Sequence, residues 1–328
     1  MNSTLKTFPY LLTLLTSAIT SCGVYAENYS DFSPTKNIIF FLGDGMGPTT
    51  VTASRIYAVG ENGKLAMDTM KHAARIKTYS EDGQTTDSAP SMGAYMIGQK
   101  NKNEVIAMST GTVAVEPDDG TLPNGKSLAK AVNRCPEQGS SVAAGIPALS
   151  ILELAKSKGK AVGVVTTTEL THATPAATYA HICHRDAQYD IALQAVPKGK
   201  GYNPKLLDGI NVLMGSGLNH WTVYDDVSNP KGRLDGRDLR AELKQQGYQT
   251  ASTQNELAQT VNNQKIFAVF SVQSHLNYDL DRVNKKIDSQ PSLAMMTSKA
   301  IDALEAQNQG QSYFLMVEGG RIDHALHG

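Results

Sequence analysis

The chain has 328 residues, of which 41% are hydrophobic and 19% charged, and its formal net charge is −1. This size and composition are typical of a globular protein with one large core or two domains. The near-zero charge gives no electrostatic signal for specific nucleic-acid binding. Beyond the N-terminal segment no apolar run is long enough to cross a bilayer, so the sequence argues against a transmembrane protein.

Residues 1–26 are predicted to be a signal peptide. Lys6 supplies a weak positive charge, the apolar run from Phe8 to Ile19 is too short to span a bilayer, and residues 24–26 match a small-x-small cleavage site. Cleavage would leave residues 27–328 as one domain in the periplasm or outside the cell. Two alternatives stay open: a lipoprotein cleavage box that would attach a lipid to Cys22, and a buried N-terminal helix.

Cleavage after residue 26 would leave two cysteines, Cys135 and Cys183. In an oxidising compartment the two could form a disulfide. The sequence does not decide whether their geometry allows it, so the paired and the free states both stay open.

Five short, nearly continuous apolar runs predict strands that are covered on both faces, as in a parallel sheet. Three helical patterns lie between them, one ending near Gly159, one closed by Gly247 and one with Pro291 in its first turn. Strands that alternate with helices predict a doubly wound α/β fold, with a mostly parallel central sheet and helices on both faces. The runs are Asn37–Leu42, Ala161–Val165, Ile210–Met214, Ile266–Phe270 and Tyr313–Val317; the helices are Ala148–Ser157, Arg237–Gln246 and Pro291–Gln307.

The segment Asn101–Gln138 is polar and interrupted by Gly and Pro, so we expect an irregular insertion on the surface. The chain contains no internal repeat and no low-complexity linker. A single domain is therefore the favoured organisation.

Two segments carry potential ligand or nucleophile side chains, one at the end of a predicted strand and one at the start of a predicted helix. Asp44 follows the first strand within a Gly-rich turn, and in open α/β sheets ligands bind outside the carboxyl ends of the strands. Ser88 precedes the helix-compatible run Met92–Ile97, where free N–H groups favour an anion such as phosphate. Taken alone, the first is also an ordinary strand-to-helix connection, and in the second Asp87 or Ser88 also suits a simple helix cap.

Two further segments carry potential ligands. Thr166 to His181 is rich in Thr, whose hydroxyls can bind a hard cation, and Arg185 can bind phosphate through two N–H groups. At the end of the chain Glu318 closes an apolar run, and Asp323 and His327 are four residues apart, on one face of a helix. A carboxylate and an imidazole are ligands for zinc. Taken singly, each of these features is also common on protein surfaces.

Taken together and in this order, the four segments resemble the alkaline phosphatases, from about Asn37 to the last residue. The resemblance implies an alkaline phosphatase-like α/β/α sandwich and a hydrolase of small phosphate monoesters that uses two zinc ions and one magnesium ion. Homodimers are common in this family. The segments are Gly43-Asp-Gly-Met-Gly47, Thr86-Asp-Ser-Ala89, His172-Ala-Thr-Pro-Ala176 with Arg185, and Val317-Glu-Gly-Gly-Arg-Ile-Asp-His324.

The resemblance also implies a role for each matched residue. Ser88 corresponds to the nucleophile that is phosphorylated, and Arg185 to the arginine that binds the phosphate. The carboxylate shared by magnesium and one zinc corresponds to Asp44. The remaining matches are Thr174 and Glu318 for magnesium, Asp323 and His327 for the other zinc, and His172 with His324 for a His/His pair that adjusts magnesium and phosphate contacts.

Two other functions remain as alternatives. A phosphodiesterase or sulfatase-like hydrolase of the same superfamily commonly has Thr or a modified Cys as its nucleophile, so Ser88 and the magnesium ligands argue against it. A non-catalytic secreted protein that binds metal or phosphate is the other.

The family pattern further includes an Asp-His pair after a later strand and another His, for which this sequence offers no candidates. We therefore expect a chain that is incomplete at its C-terminus, with an exposed sheet edge and uncovered apolar surface. Expressed alone, it should retain zinc weakly and hydrolyse p-nitrophenyl phosphate at a negligible rate.

Overall fold

The computed structural model describes residues 37–309 and 311–327, so the predicted signal peptide and the alternative lipid site at Cys22 lie outside the described residues. Eight strands and ten α-helices are found in the described part. The strands are β1 Ile38–Gly43, β2 Asp118–Thr121, β3 Ser127–Val132, β4 Ala161–Glu169, β5 Val212–Ser216, β6 Gln249–Ala251, β7 Ile266–Val269 and β8 Tyr313–Gly319. The helices are α1 Pro48–Val59, α2 Ser88–Ile97, α3 Ile151–Ser157, α4 Ala173–Tyr179, α5 Gln188–Gln194, α6 Leu239–Gln245, α7 Gln254–Gln259, α8 Asp279–Asn284, α9 Leu293–Gln307 and α10 Arg321–Leu326.

Six strands form the central sheet in the order β1-β8-β4-β5-β7-β6, and every neighbouring pair is parallel. Successive side chains of a strand point to opposite faces, so one strand contributes to two cores. In β4, Val162 and Val164 belong to the core beneath α2 to α6, whereas Ala161 and Val165 belong to the core beneath α7 and α9. The predicted doubly wound α/β fold, with helices on both faces, is confirmed.

All five predicted strands are present. Four of them have ends shifted by at most two residues, and β4 runs four residues beyond its predicted end at Val165. The three-residue edge strand β6 was not predicted, because it is too short to show a hydrophobic period. The three predicted helices are also present, but Pro291 lies outside the first turn of α9. Ser292 is the N-cap of that helix, and its side chain accepts a hydrogen bond from the Met295 N–H.

The prediction of an irregular surface insertion at 101–138 is wrong in two respects. β2 and β3 pair as an antiparallel hairpin within it. Residues 105–108 are completely or almost completely buried, because this short apolar run enters the core beneath α2. Cys135 and Cys183 form a disulfide, with their Cα atoms 5.6 Å apart, which ties the end of this segment to the chain that follows α4.

Among the described strands, β1 has a neighbour on one side only, and it is an exposed edge of the sheet. Phe41 is 62% exposed there, and α1, which follows, buries none of its residues and leaves Tyr57 88% exposed. The expected exposed edge and uncovered apolar surface are therefore observed. None of the described helices is both long enough and apolar enough to cross a membrane.

A buried ion pair joins three separate parts of the larger core. Glu153 on α3 has no solvent exposure, and its carboxylate accepts hydrogen bonds from the His181 ring (2.7 Å), the Asn203 amide (2.6 Å) and the Ser150 N–H (2.7 Å). The other His181 nitrogen lies 2.7 Å from the carbonyl oxygen of Ala107. Because both ring nitrogens face acceptors, the ring donates twice as an imidazolium and balances the carboxylate.

Glu153→Gln is expected to lower the free energy of unfolding by about 3 kcal/mol, because it leaves a buried imidazolium without its counter-charge. Urea unfolding followed by circular dichroism would measure the loss. Glu61→Gln is the matched control, since Glu61 is exposed and its replacement should change stability by less than about 0.5 kcal/mol. Equal stabilities of the two variants would contradict this assignment.

Candidate active site

Asp44 is the first residue after β1, so it lies at the carboxyl end of the central sheet. β1 and β8 are aligned with Leu42 opposite Glu318, so the two carboxylates leave neighbouring strands at nearly the same level. The turn continues through Gly45, which has a φ of +63°, and a Cβ there would lie 2.5 Å from the Asp323 carboxylate. Only glycine combines this conformation with such a close approach. The Gly-rich turn thus brings α10 against the end of β1.

Glu318 is completely buried, and β4 supplies its hydrogen-bond donors. Thr166 is directly opposite Glu318 in the parallel register, and its hydroxyl donates to Oε2. The Thr168 hydroxyl donates to the same oxygen at 3.1 Å. Burial raises the pKa of Glu318 to about 7, and the nearby Asp44 carboxylate also acts to raise it. Two Thr residues of the Thr-rich segment therefore orient a carboxylate.

Three buried oxygen atoms at this position lack a hydrogen-bond partner: Oδ2 of Asp44, Oγ1 of Thr174 and Oε1 of Glu318. The Thr174 hydroxyl lies near Glu318 but makes no hydrogen bond of normal geometry with it. Burial raises the pKa of Asp44 too, and the Asp323 carboxylate adds to that rise. Two carboxylates and a hydroxyl without partners form an oxygen-only donor set that fits a hard divalent cation such as magnesium.

Ser88 is the first residue of α2, and Asp87 is the N-cap of this helix. The Asp87 carboxylate accepts hydrogen bonds from the N–H groups of Ala89, at 2.6 Å, and Glu104, at 2.5 Å. The simple capping role therefore belongs to Asp87, which leaves the Ser88 hydroxyl free to face the cavity. The same hydroxyl also contacts Asp44 and acts to lower the pKa of that carboxyl, against the larger effect of burial.

Arg185 links Ser88 to the histidine side of the site. One terminal nitrogen donates to Asp87 at 3.0 Å and lies 3.5 Å from the Ser88 hydroxyl. The other nitrogen donates to Nε2 of His172 at 3.0 Å. The side chain is only 17% exposed, so Arg185 is not an ordinary surface charge. Asp87 holds the guanidinium in place, a role that sequence reasoning did not assign.

α10 carries the last predicted ligands. Asp323 and His327 lie on one face as expected, with 3.3 Å between Oδ2 and Nε2, and the His327 side chain is 76% exposed. A carboxylate and an imidazole this close fit two ligands of a zinc site. His324 turns the other way, and its Nδ1 accepts a hydrogen bond from Arg321 at 2.7 Å.

A cavity of about 700 Å³ unites most of these groups. Seven of the nine predicted site residues line it: Asp44, Ser88, His172, Arg185, Asp323, His324 and His327. The other two, Thr174 and Glu318, are completely buried, and Glu318 lies near both Asp44 and Thr174. One histidine near the site, His275, was not predicted. It follows β7 in a loop whose sequence has no ligand spacing that could have marked it.

The family model described as "Alkaline phosphatase" matches residues 35–328. This chain belongs to the alkaline phosphatase family. It is 34% identical over 323 residues to the tissue-nonspecific alkaline phosphatase of Gallus gallus, covering 89% of this chain and 56% of that protein. The tissue-nonspecific isozyme of Homo sapiens is 35% identical over 320 residues, with 89% and 55% covered. The chain thus spans about half the length of the curated relatives it matches.

Solved alkaline phosphatase structures share the fold. The Thermus thermophilus enzyme superposes with a TM-score of 0.66 at 28% identity, over 89% of this chain and 51% of that chain. A mutant of the enzyme from the Antarctic bacterium TAB5, described as having Mg bound in its M3 site, superposes with a TM-score of 0.62 at 22% identity, over 89% and 66% of the two chains.

The raised pKa of Glu318 predicts a pH-dependent loss of stability in metal-free protein. The folded state keeps a proton on this carboxyl up to about pH 7, whereas the unfolded state releases it near the ordinary glutamate pKa of 4.5. Glu318 therefore does not reduce the free energy of unfolding below pH 4.5, and it reduces this free energy increasingly as the pH rises towards 7. Glu318→Gln has no carboxyl that can ionise at this position. Its free energy of unfolding should therefore rise by about 3 kcal/mol relative to that of the parent between pH 5 and pH 8.

Urea unfolding with a chelator, at several pH values, would measure that difference. Glu305→Gln, which changes an exposed carboxylate on α9, is the control and should show no such trend. A constant difference between parent and Glu318→Gln over this pH range would contradict the raised pKa.

Proposed function

We propose that this protein hydrolyses small-molecule phosphate monoesters through a phosphoserine intermediate on Ser88. One observation carries the proposal: the Ser88 hydroxyl lies at the N-terminus of α2, beside the Arg185 guanidinium and in contact with Asp44. A helix N-terminus and an arginine favour a bound phosphate dianion. Membership of the alkaline phosphatase family supports the same reaction.

The proposed cofactors are one magnesium ion and two zinc ions. Magnesium would bind the buried oxygens of Asp44, Thr174 and Glu318, which have no other partner. One zinc would bind Asp323 and His327, and the other would bind Asp44 and Ser88. When bound, the metals supply charge neutralisation and a lower pKa for the serine hydroxyl and for water. The mixed oxygen and nitrogen set on α10 suits zinc, whereas the oxygen-only set suits magnesium.

Each residue then has a definite task. Oγ of Ser88 attacks phosphorus while the bond to the leaving oxygen breaks, and water later attacks the phosphoserine and releases inorganic phosphate. Asp44 orients the Ser88 hydroxyl before the attack. Both terminal nitrogens of Arg185 can donate to phosphoryl oxygens, and they hold the negative charge as the displacement proceeds. Asp87 orients Arg185, so little reorganisation is needed when substrate binds.

The proposal extends to the location and assembly of the protein. Export to the periplasm or the cell exterior is supported by the predicted signal peptide and by the Cys135–Cys183 disulfide, which requires an oxidising compartment to persist. A homodimer is proposed by analogy with the family. His172 and His324 are proposed to adjust the magnesium and phosphate contacts.

Ser88→Ala is expected to reduce turnover of p-nitrophenyl phosphate by at least about 1000-fold in the full-length, metal-loaded protein, because the nucleophile is removed. It should also abolish incorporation of labelled phosphate into the protein. Ser91→Ala is the matched control, since Ser91 lines the same cavity one turn later on α2. Labelled phosphate that still attaches to the Ser88→Ala protein would show that the nucleophile is assigned wrongly.

A further inference from the structure

Glu104 has a backbone conformation that a residue with a side chain seldom adopts. It is the third residue of a turn that is closed by a hydrogen bond of 3.2 Å from the Val105 N–H to the Lys102 carbonyl oxygen. Its φ is +71°, in the left-handed region. Glycine is the usual residue at such a position, because the Cβ of another residue makes this conformation costly. Contacts with other parts of the protein must therefore hold Glu104 in place.

Two hydrogen bonds of the Glu104 main chain lead to two residues of the candidate active site. Its N–H donates to Oδ2 of Asp87 at 2.5 Å. Its carbonyl oxygen accepts from the N–H of Arg185 at 2.8 Å. Asp87 and Arg185 are also joined directly, since one guanidinium nitrogen donates to Oδ1 of Asp87 at 3.0 Å. The three residues thus form a closed ring of hydrogen bonds.

The ring joins two separate parts of the fold. Asp87 immediately precedes α2, whereas Arg185 follows α4. Ile106, two residues after Glu104, exchanges two backbone hydrogen bonds with Ile182, at 3.0 and 3.1 Å, so this stretch runs beside the one that leads to Arg185. The turn at Glu104 changes the direction of the chain, so that its N–H faces Asp87 while its carbonyl oxygen faces Arg185.

The Glu104 side chain does not explain this arrangement. It does not line the cavity that contains Ser88 and Arg185. Burial raises the pKa of the Glu104 carboxyl, and the nearby Asp87 carboxylate adds to that rise because like charges repel. The side chain therefore has no attraction for Asp87, and the connection depends on the main chain.

We propose that Glu104 is a positioning residue, whose left-handed backbone fixes Asp87 and Arg185 relative to each other and so sets the affinity of the site for a phosphoryl group. The inference rests on the proposed function for the role of Arg185 in phosphate binding. The guanidinium nitrogen that donates to Asp87 lies 3.5 Å from the Ser88 hydroxyl. An arginine that is already fixed in this position loses little freedom when phosphate binds, so disorder in the ring lowers the affinity.

Calorimetric titration of the full-length, metal-loaded protein with inorganic phosphate tests this proposal. Glu104→Val should weaken phosphate binding about 10-fold, because a β-branched residue resists the left-handed region and displaces the ring. Glu104→Gly and Glu104→Asn should restore the affinity of the parent to within about twofold, since both residues tolerate that backbone conformation. Loss of affinity in these two variants as well would contradict the proposal, because the carboxylate would then be the required group.

Glu104→Thr is a second β-branched variant, with the same expected loss of affinity, should Glu104→Val impair folding. Urea unfolding of each variant shows which ones remain folded under the conditions of the titration. Failure of both β-branched variants to fold would overturn the proposal, since the turn would then serve the core rather than the site.

A double-mutant cycle shows whether Glu104 acts through Arg185. Arg185→Ala alone should weaken phosphate binding at least about 10-fold, because it removes a charge-assisted donor. In that background Glu104→Val should weaken binding by less than about twofold further, since the group that it positions is absent. Equal weakening by Glu104→Val in both backgrounds would contradict a role through Arg185.

Lys198→Val is the matched control for backbone strain. Lys198 is exposed, has a φ of +60° and does not line the cavity. The variant should lower the urea midpoint about as much as Glu104→Val and leave phosphate affinity unchanged. A comparable loss of phosphate affinity in Lys198→Val would overturn the proposal, because strain anywhere in the chain would then have the same effect.

The Arg185→Ala result separates this inference from the proposed function. Phosphate binding that is unchanged by Arg185→Ala would contradict the proposed phosphoryl position. Binding that is weakened by Arg185→Ala but not by the β-branched variants of Glu104 would overturn the positioning role alone and leave the proposed function standing.

Discussion

Asp44 and Glu318 leave two neighbouring parallel strands at nearly the same level, and each has one buried carboxylate oxygen without a hydrogen-bond donor. Thr166 and Thr168 satisfy one oxygen of Glu318, while the other oxygen, together with Oδ2 of Asp44, has no partner. Burial without compensation raises the pKa of both carboxyls. A divalent cation removes this conflict, because it supplies the missing charge and accepts the free oxygens as ligands.

The rest of the site depends on that arrangement. The Gly45 turn that follows Asp44 allows α10 to approach, which brings Asp323 and His327 to the cavity. Asp44 also contacts Ser88, so the nucleophile proposed here is tied to the same carboxylate. On the far side, Arg185 connects Ser88 to His172. One polar network therefore runs from the proposed cation site through the phosphoryl position to His172.

Much of the fold could be predicted from sequence because strands buried on both faces appear as uninterrupted apolar runs. β6 has three residues at the far edge of the sheet and no such run, so it escaped prediction. The hairpin of β2 and β3 and the buried residues 105–108 lie in a polar segment, where local composition gave no sign of tertiary burial. The nine predicted site residues do come together, because the ordered motifs mark the ends of neighbouring strands. Asp87, Thr166 and Thr168 took their roles, and His275 its position beside His172, from long-range contacts, which no local pattern encodes.

Magnesium binding to Thr174→Val, compared with Thr178→Val, tests the central claim most directly. Both residues are completely buried and lie one turn apart on α4. The Thr178 hydroxyl donates to the Pro175 carbonyl at 2.6 Å, whereas the Thr174 hydroxyl has no hydrogen-bond partner. If the orphan oxygens bind a cation, Thr174→Val should weaken magnesium binding at least about 10-fold in calorimetry, without loss of metal-free stability. Thr178→Val should cost about 1 kcal/mol of stability and leave magnesium affinity unchanged. Unchanged affinity in Thr174→Val, or equal weakening in both variants, would contradict the account.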